Sequence, residues 1–284
     1  MTLPIDPLKI IRFSDGKLKP SDDLVVVEEP MEIRLGYGSM DNRIEESIAI
    51  TMRTPGDDFE LAVGFLFSEG IIHNKKDILS VKYCFIGTQN QEDKNIVRVE
   101  LTPELEIDLS SQKRNFFAHS GCGICGKASI EAVYKTINHK VIESDIKLTI
   151  KSLLQIPVKT LKQQVNFNNT GGIHSASVFD SNNKMLAIKE DVGRHNAVDK
   201  IMGHFLLSND SDLSGKILFL SGRMGFELVQ KASMAHIPIV VSVGAPTSLS
   251  VKLGKELGMT LVGFTRENKF NIYCGEERIT SNKN

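Results

Sequence analysis

The sequence predicts an α/β chain, α+β overall, with a smaller strand-rich first part and a second half in which strands and helices alternate. Three observations carry this expectation. Short apolar runs such as Lys216–Leu220 and Ile239–Val243 have the length and composition of strands buried on both faces. Segments with helical spacing lie between them, an order that gives a layered sheet with partly parallel pairing. Before residue 102, strand-like runs dominate and one segment reads as a helix.

In chain order, the first 23 residues are mixed in character and read as irregular. Leu24–Val27 and Met31–Leu35 read as two short strands separated at Pro30, where a ladder donor is missing. Ser47–Met52 is another strand. Asp57 and Asp58 precede Phe59–Ser68, whose apolar residues recur at helical spacing, and Gly70 suits the helix end. Val81–Phe85 and Ile96–Leu101 resemble strands on either side of a polar loop at 87–95. The run His119-Ser-Gly-Cys-Gly-Ile-Cys-Gly-Lys127 is the densest glycine cluster and reads as a loop, with a helix beginning at Ile130–Tyr134. A further helix is expected near 149–165. Ile173–Phe179 and Met185–Lys189 form a hairpin around Asp180–Asn183. Arg194–Leu206 is a helix with Asp191 near its N-cap. Phe226–Ala235 is the next helix, and Ser248–Leu257 another, closed by Gly258. Thr260–Phe264 and Phe270–Tyr273 are the last strands. The domain boundary falls in 110–145 and is drawn after residue 125. Residues 1–125 then form a strand-rich N-terminal domain ending in the Cys-x-x-Cys loop, and residues 126–284 form the second domain.

The totals narrow the function classes. The 284 residues carry a formal net charge of -1, which gives no global electrostatic reason to expect nucleic acid or a membrane surface. No apolar stretch approaches the ~20 residues that span a bilayer. The start Met-Thr-Leu-Pro-Ile-Asp-Pro lacks a basic segment followed by an apolar run, so no signal peptide is expected and the cytoplasm is the expected compartment. Four cysteines are too few for a disulfide scaffold of this size, and a reducing compartment makes reactive or metal-binding thiols the reading for a close pair.

That pair is Cys122 and Cys125. Cys-x-x-Cys can hold half a zinc site, run thiol–disulfide exchange, or carry a persulfide on one thiolate. Flanking glycines leave the sulfurs accessible, and His119 and Lys127 favour the thiolate, which is the nucleophile. The bland alternative is a structural zinc knuckle, which needs about four ligands. His119, Cys122 and Cys125 supply three and no second Cys-x-x-Cys exists, so sulfur chemistry is favoured and no metal site is assigned. Cys84 and Cys274, alone in strand-like surroundings, read as core fillers.

Other motifs suggest a ligand site. Thr170-Gly-Gly-Ile-His174 leads into a strand; taken alone it is a tight turn with a satisfied histidine. Glu190-Asp-Val-Gly-Arg-His-Asn-Ala-Val-Asp-Lys200 crowds ionisable residues at a helix start, where free amides attract anions and Arg194 adds a planar donor fork, with His195 a candidate acid or base. A solvated helix end is the competing reading. Ser221-Gly-Arg-Met-Gly225 and Val243-Gly-Ala-Pro-Thr-Ser248 follow buried strands and open helices, the place where α/β sheets put ligands. Neither matches the phosphate-loop or dinucleotide fingerprints, so those enzyme classes lose support.

Together, Gly121-Cys-Gly-Ile-Cys-Gly126, Thr170–His174, Glu190–Asp199, Leu220-Ser-Gly-Arg223, and Gly263-Phe-Thr-Arg266 with Phe270–Tyr273 resemble the formate dehydrogenase accessory sulfurtransferase family (FdhD). The resemblance spans about residues 24 to 275. It implies a cytidine-deaminase-like, three-layer α/β cofactor-binding domain at 126–284. It also implies a sulfurtransferase that takes persulfide sulfur from a cysteine desulfurase and passes it to the molybdenum cofactor (molybdopterin guanine dinucleotide) before that cofactor enters formate dehydrogenase. Cys122 would then be the persulfide cysteine and Cys125 its partner. The cofactor-binding stretch would be Phe264, Thr265, Arg266, Glu267, Asn268 and Lys269; where the family often has Gly after the Arg, this chain has Glu267. Arg266, with Arg194 and Arg223, would counter the cofactor's phosphates. The resemblance further implies a homodimer. Deaminase chemistry itself is not expected, since His174 is followed by Ser175-Ala176 and Cys122 is preceded by Gly121, where that enzyme needs His-x-Glu and Pro-Cys-x-x-Cys. Two other readings stay open: a zinc-binding deaminase-like hydrolase, and a cofactor chaperone without sulfur transfer.

Overall fold

The computed structural model describes residues 3–86, 91–105, 107, 141–208 and 212–281. The 125/126 boundary and the helix expected at 130–134 lie outside the described residues.

The first strands depart from the sequence reading. Residues 1–23 were expected to be irregular, yet β1 (Ile5–Ser14) and β2 (Lys17–Val26) form a ten-pair antiparallel hairpin. The cause is the turn: Asp15 and Gly16 both have positive φ (52° and 73°), as the two-residue turn matching strand twist requires. The hairpin pairs with no other sheet among the described residues, and Ile11, Phe13 and Leu18 are exposed.

β3 (Glu29–Tyr37), β4 (Ile44–Arg53), β5 (Ile78–Ile86) and β6 (Gln91–Leu101) form a four-stranded sheet of order β4-β3-β6-β5. β3 runs through Pro30 rather than stopping there. Pairing with β6 begins only at Glu32, so the residue without an N–H sits where the strand is bonded on one side. β6 also starts inside the stretch read as a polar loop. Helix α1 (Asp58–Ser68) crosses this sheet and buries Leu61, Ala62 and Leu66 against Met31, Ile33, Leu35, Val97 and Val99.

The second half contains β7 (Leu148–Thr149), α2 (Ile150–Gln163), α3 (Val165–Thr170), β8 (His174–Phe179), β9 (Met185–Asp191), α4 (Arg194–Leu207), β10 (Ile217–Leu220), α5 (Phe226–Met234), β11 (Ile239–Ser242), α6 (Ser248–Glu256), β12 (Thr260–Gly263), β13 (Asn271–Cys274) and β14 (Ile279–Thr280). The main sheet has the order β13-β12-β11-β10-β8-β9. β10, β11 and β12 are mutually parallel, while β8 and β13 flank them antiparallel. Side-chain alternation sorts two cores. Leu218, Leu220, Val240 and Leu261 face α4, α5 and α6, whereas Ile217, Phe219, Ile239, Val241 and Val262 face Leu153 and Ile156 of α2. The result is a three-layer α/β arrangement, as the resemblance implied. Thr149 and Thr247 cap α2 and α6 through their side chains, while α4 and α5 begin at Gly193 and Gly225 without a side-chain cap.

The two halves meet where α1 crosses α4. Both helices carry glycine there because nothing larger fits: a Cβ on Gly64 would lie 1.8 Å from the Asp199 carbonyl oxygen, and one on Gly203 1.8 Å from that of Glu60. Polar groups close the joint. Lys231 donates to both Asp199 carboxylate oxygens (2.7 and 2.9 Å), and Ser68 Oγ donates to Asp199 Oδ1 at 2.7 Å. Burial pulls the Lys231 pKa down, but Asp199, Glu69 and Glu227 outweigh it and the ammonium is held above its ordinary range. Among the described residues no helix is long and apolar enough to cross a membrane.

Candidate functional site

The parallel strands β10, β11 and β12 end on one edge, and the loops that follow them stack backbone on backbone. Ser242 Oγ donates to the Gly222 carbonyl (2.5 Å) and accepts from the Gly244 N–H (2.9 Å). The Phe264 and Thr265 amides donate to the carbonyls of Gly244 and Ser242, both at 3.0 Å. A Cβ on Gly244 would sit 2.7 Å from Arg223 Cα and the Gly222 oxygen, and one on Gly263 3.0 Å from the Gly244 oxygen. Side chains would prise these loops apart, so the glycines set their spacing.

The stretch Phe264–Lys269 lies on this edge, beside the loops after β10 and β11. Phe264 has φ 54° and is 43% exposed. Thr265 is fully buried, and its hydroxyl has no partner among the described residues. Arg266 Nη1 donates to the carbonyls of Val243 (2.8 Å) and Thr265 (2.9 Å), and the Arg266 amide donates to the Lys269 carbonyl at 2.8 Å. Arg266 therefore ties the β11 and β12 loops together. Glu267, Asn268 and Lys269 form the exposed crest of the turn.

The same edge continues to β8 and β9, because β8 runs antiparallel to β10 and begins where β10 ends. His174, the first residue of β8, packs on Gly222: a Cβ there would be 3.2 Å from its ring. Burial lowers the His174 pKa, and the positive charges of Arg194, His195 and Arg223 lower it further, against a smaller opposing effect of Asp191. His174 pairs with Asp191 across β8 and β9 and packs on Gly222 of the loop 221–225, which brings the glycine-histidine, acidic-arginine and Ser-Gly-Arg motifs into one place. His195 is not free: its Nε2 lies 2.8 Å from Glu227 Oε2. Asp191, fully buried, is held by Lys200 (2.8 Å), the Gly193 N–H (2.8 Å), Asn196 Nδ2 (3.1 Å) and the Thr54 N–H (3.2 Å). Burial pushes its carboxyl up, and those donors oppose the rise. Sequence reasoning named Asp191 as a cap but missed Lys200 and Glu227 as partners. No local pattern marks them, since one lies a further turn and more along α4 and the other on α5.

Cys122, Cys125, His119 and Lys127 lie outside the described residues. Cys274 is buried and Cys84 half-buried, both free, and burial pushes both thiols up, away from the reactive thiolate. Both therefore behave as packing residues.

A family model described as the FdhD/NarQ family matches residues 26–280. The chain is similar to a sulfur carrier protein FdhD of Streptomyces coelicolor, 42% identical over 273 residues, which covers 95% of this chain and 94% of that protein. It is also similar to the protein of the same name from Saccharolobus solfataricus, 38% identical over 279 residues, covering 98% of this chain and 100% of the relative. Among solved structures, a protein from Desulfotalea psychrophila described as a formate dehydrogenase accessory protein superposes with a TM-score of 0.74 at 25% identity, covering 97% of this chain and 99% of that one.

Proposed function

The chain belongs to the FdhD/NarQ family, and from that premise we propose that it is a sulfur carrier serving formate dehydrogenase maturation, acting as a sulfurtransferase through Cys122. The observation that carries this is likeness along nearly the whole chain to proteins named as sulfur carriers, joined to the single Gly-flanked Cys-x-x-Cys of the sequence.

In this reading the Cys122 thiolate attacks the terminal sulfur of a cysteine desulfurase persulfide. The donor's S–S bond breaks, a new one forms on Cys122, and the desulfurase cysteine leaves as thiolate. The Cys125 thiolate then attacks Cys122 Sγ. A Cys122–Cys125 disulfide forms and sulfur leaves at the hydrosulfide level, the state needed for a ligand on molybdenum. External thiol restores the dithiol. The substrate that receives the sulfur is the molybdenum cofactor, molybdopterin guanine dinucleotide. Its seat is the strand-end edge, with Phe264 supplying an exposed aromatic face and Arg266 fixing the turn. Formate dehydrogenase and a cysteine desulfurase are the protein partners, the cytoplasm the compartment, and a homodimer the working form.

The test is intact mass after incubation with a cysteine desulfurase and cysteine, for wild type, Cys122→Ala and Cys125→Ala. The expected result is one added, reducible sulfur that vanishes in Cys122→Ala and persists in Cys125→Ala. Wild-type protein that gains no sulfur, yet binds the cofactor tightly after loss of both cysteines, would replace the carrier by a chaperone.

A further inference from the structure

The β1–β2 hairpin has no sheet to lie on. Its ten-pair ladder joins no other strand among the described residues, and an isolated two-stranded hairpin is only marginally stable in water. At about 3.4 Å per residue it forms an arm about 34 Å long. Its root touches the body near Val26, whose Cγ1 would lie 3.7 Å from a Cβ on Gly172. From Ile11 to Pro20 every residue is exposed. Cross-strand partners share a face, so one face carries, from mid-arm to tip, the rows Lys9–Asp22, Ile11–Pro20 and Phe13–Leu18. Ile11, Phe13 and Leu18 are 63%, 68% and 70% exposed, an apolar surface of the kind that marks a contact with another molecule. The outer edges of the arm are poorer candidates. Pro7 and Pro20 stay within the ladder, so each turns its missing N–H outward and leaves an edge short of a donor.

We propose that this face joins two copies of the chain, packed arm on arm about a two-fold axis that runs along the strands. Charge decides the occupant. Between Ile5 and Val26 four aspartates balance three lysines and one arginine, so the arm has no net charge to draw it to nucleic acid or an anionic membrane. In the middle of the apolar face stands one ion pair, Lys9–Asp22 at 2.6 Å, with both side chains exposed. A lipid or a purely apolar partner would strip water from both charges and return nothing. A second copy supplies the complement. An axis along the strands lays β1 of one arm over β2 of the other, row upon row. Phe13 then meets Leu18, Ile11 meets Pro20, and each Lys9 meets Asp22 of the second copy, which closes a square of alternating charge. This rests on the homodimer of the reading above and deepens it by naming the contact. It involves neither Cys122 nor the strand-end edge.

The experiment is sedimentation equilibrium of the full chain over a range of concentrations. Wild type should form dimers. Phe13→Ser should raise the dimer dissociation constant by about thirtyfold or more, because the ring is lost from both halves of the contact. Arg12→Ala, on the opposite face, should leave it within about threefold. Lys9→Asp and Asp22→Lys should each weaken self-association by at least about tenfold, since like charges then oppose each other twice. An equimolar mixture of those two variants should recover dimers, each chain presenting what the other lacks. A wild-type monomer overturns the proposal, and its binding to vesicles of phosphatidylcholine and phosphatidylglycerol would assign the face to lipid instead. A dimer that Phe13→Ser and both charge reversals leave untouched also overturns it, and places the homodimer contact on another surface. Sulfur loading of Cys122 is read separately by intact mass, so failure of either reading leaves the other standing.

Discussion

Replacing Gly64 by alanine tests how tightly the two halves are joined. The new Cβ would lie 1.8 Å from the Asp199 carbonyl oxygen where ordinary contact begins at 3.4 Å, a shortfall of about 1.6 Å. It would also lie 2.8 Å from the Gly203 nitrogen, so both near neighbours are backbone and no rotamer relieves the clash. The helices must part, or α1 must slide along α4. Overpacking of this kind costs about 1–3 kcal/mol. Parting also stretches the 2.7 Å bond from Ser68 to Asp199, a buried hydrogen bond whose loss costs about 1–3 kcal/mol. Against this, alanine favours a helix by up to about 1 kcal/mol over glycine. The net loss is about 1–5 kcal/mol, which for a chain of this size lowers the melting temperature by roughly 2–20 °C. Differential scanning calorimetry of Gly64→Ala measures it. Gly215→Ala is the control, since a Cβ there meets nothing within 4 Å. A Gly64→Ala protein melting within about 2 °C of wild type would show that the crossing yields without cost and would refute the reasoning.

Lys200→Met should cost about 3–5 kcal/mol near neutral pH by leaving the Asp191 carboxylate buried without its cation; because burial raises the Asp191 pKa, the deficit should shrink as the pH falls and that carboxylate takes a proton, and urea denaturation at neutral and acidic pH checks both statements. His174 gives a pH dependence of opposite origin. Its folded-state pKa lies below the unfolded 6.5, so the unfolded chain binds the proton first and stability falls as pH drops through 6.5 toward the folded value. His174→Gln should flatten that part of the profile in chloride buffer; an unchanged slope between wild type and variant would remove His174 as its source.

The second half of the fold was legible because its strands are buried on both faces and therefore read as unbroken apolar runs: Ile217–Leu220 and Ile239–Ser242 emerge within a residue or two of the expected bounds. The hairpin at the start was missed for the opposite reason. Ile11, Phe13 and Leu18 are apolar yet exposed, so burial leaves no clean alternation to read, and the Asp15-Gly16 turn signal was passed over. Pro30 misled because its position in the sheet, paired on one side, is a tertiary fact. At the strand-end edge, Arg194, Arg223, His174 and Phe264–Lys269 were visible as motifs. What could not be read was pairing: Arg266 occupied by carbonyls, Arg194 without a carboxylate among the described residues, Lys200 committed to Asp191. Those differences depend on neighbours brought from other elements, which local pattern does not encode.

The stacked loops at the strand ends have a consequence for how this surface can change over time. Its floor is peptide groups laid against peptide groups at Gly222, Gly244 and Gly263, so its relief is set by three residues that must stay small, while side chains on the crest, such as Glu267 and Lys269, are free to vary. Substitutions there retune which molecule is held without remodelling the shelf beneath. A change at any of the three glycines alters the shelf for every ligand at once.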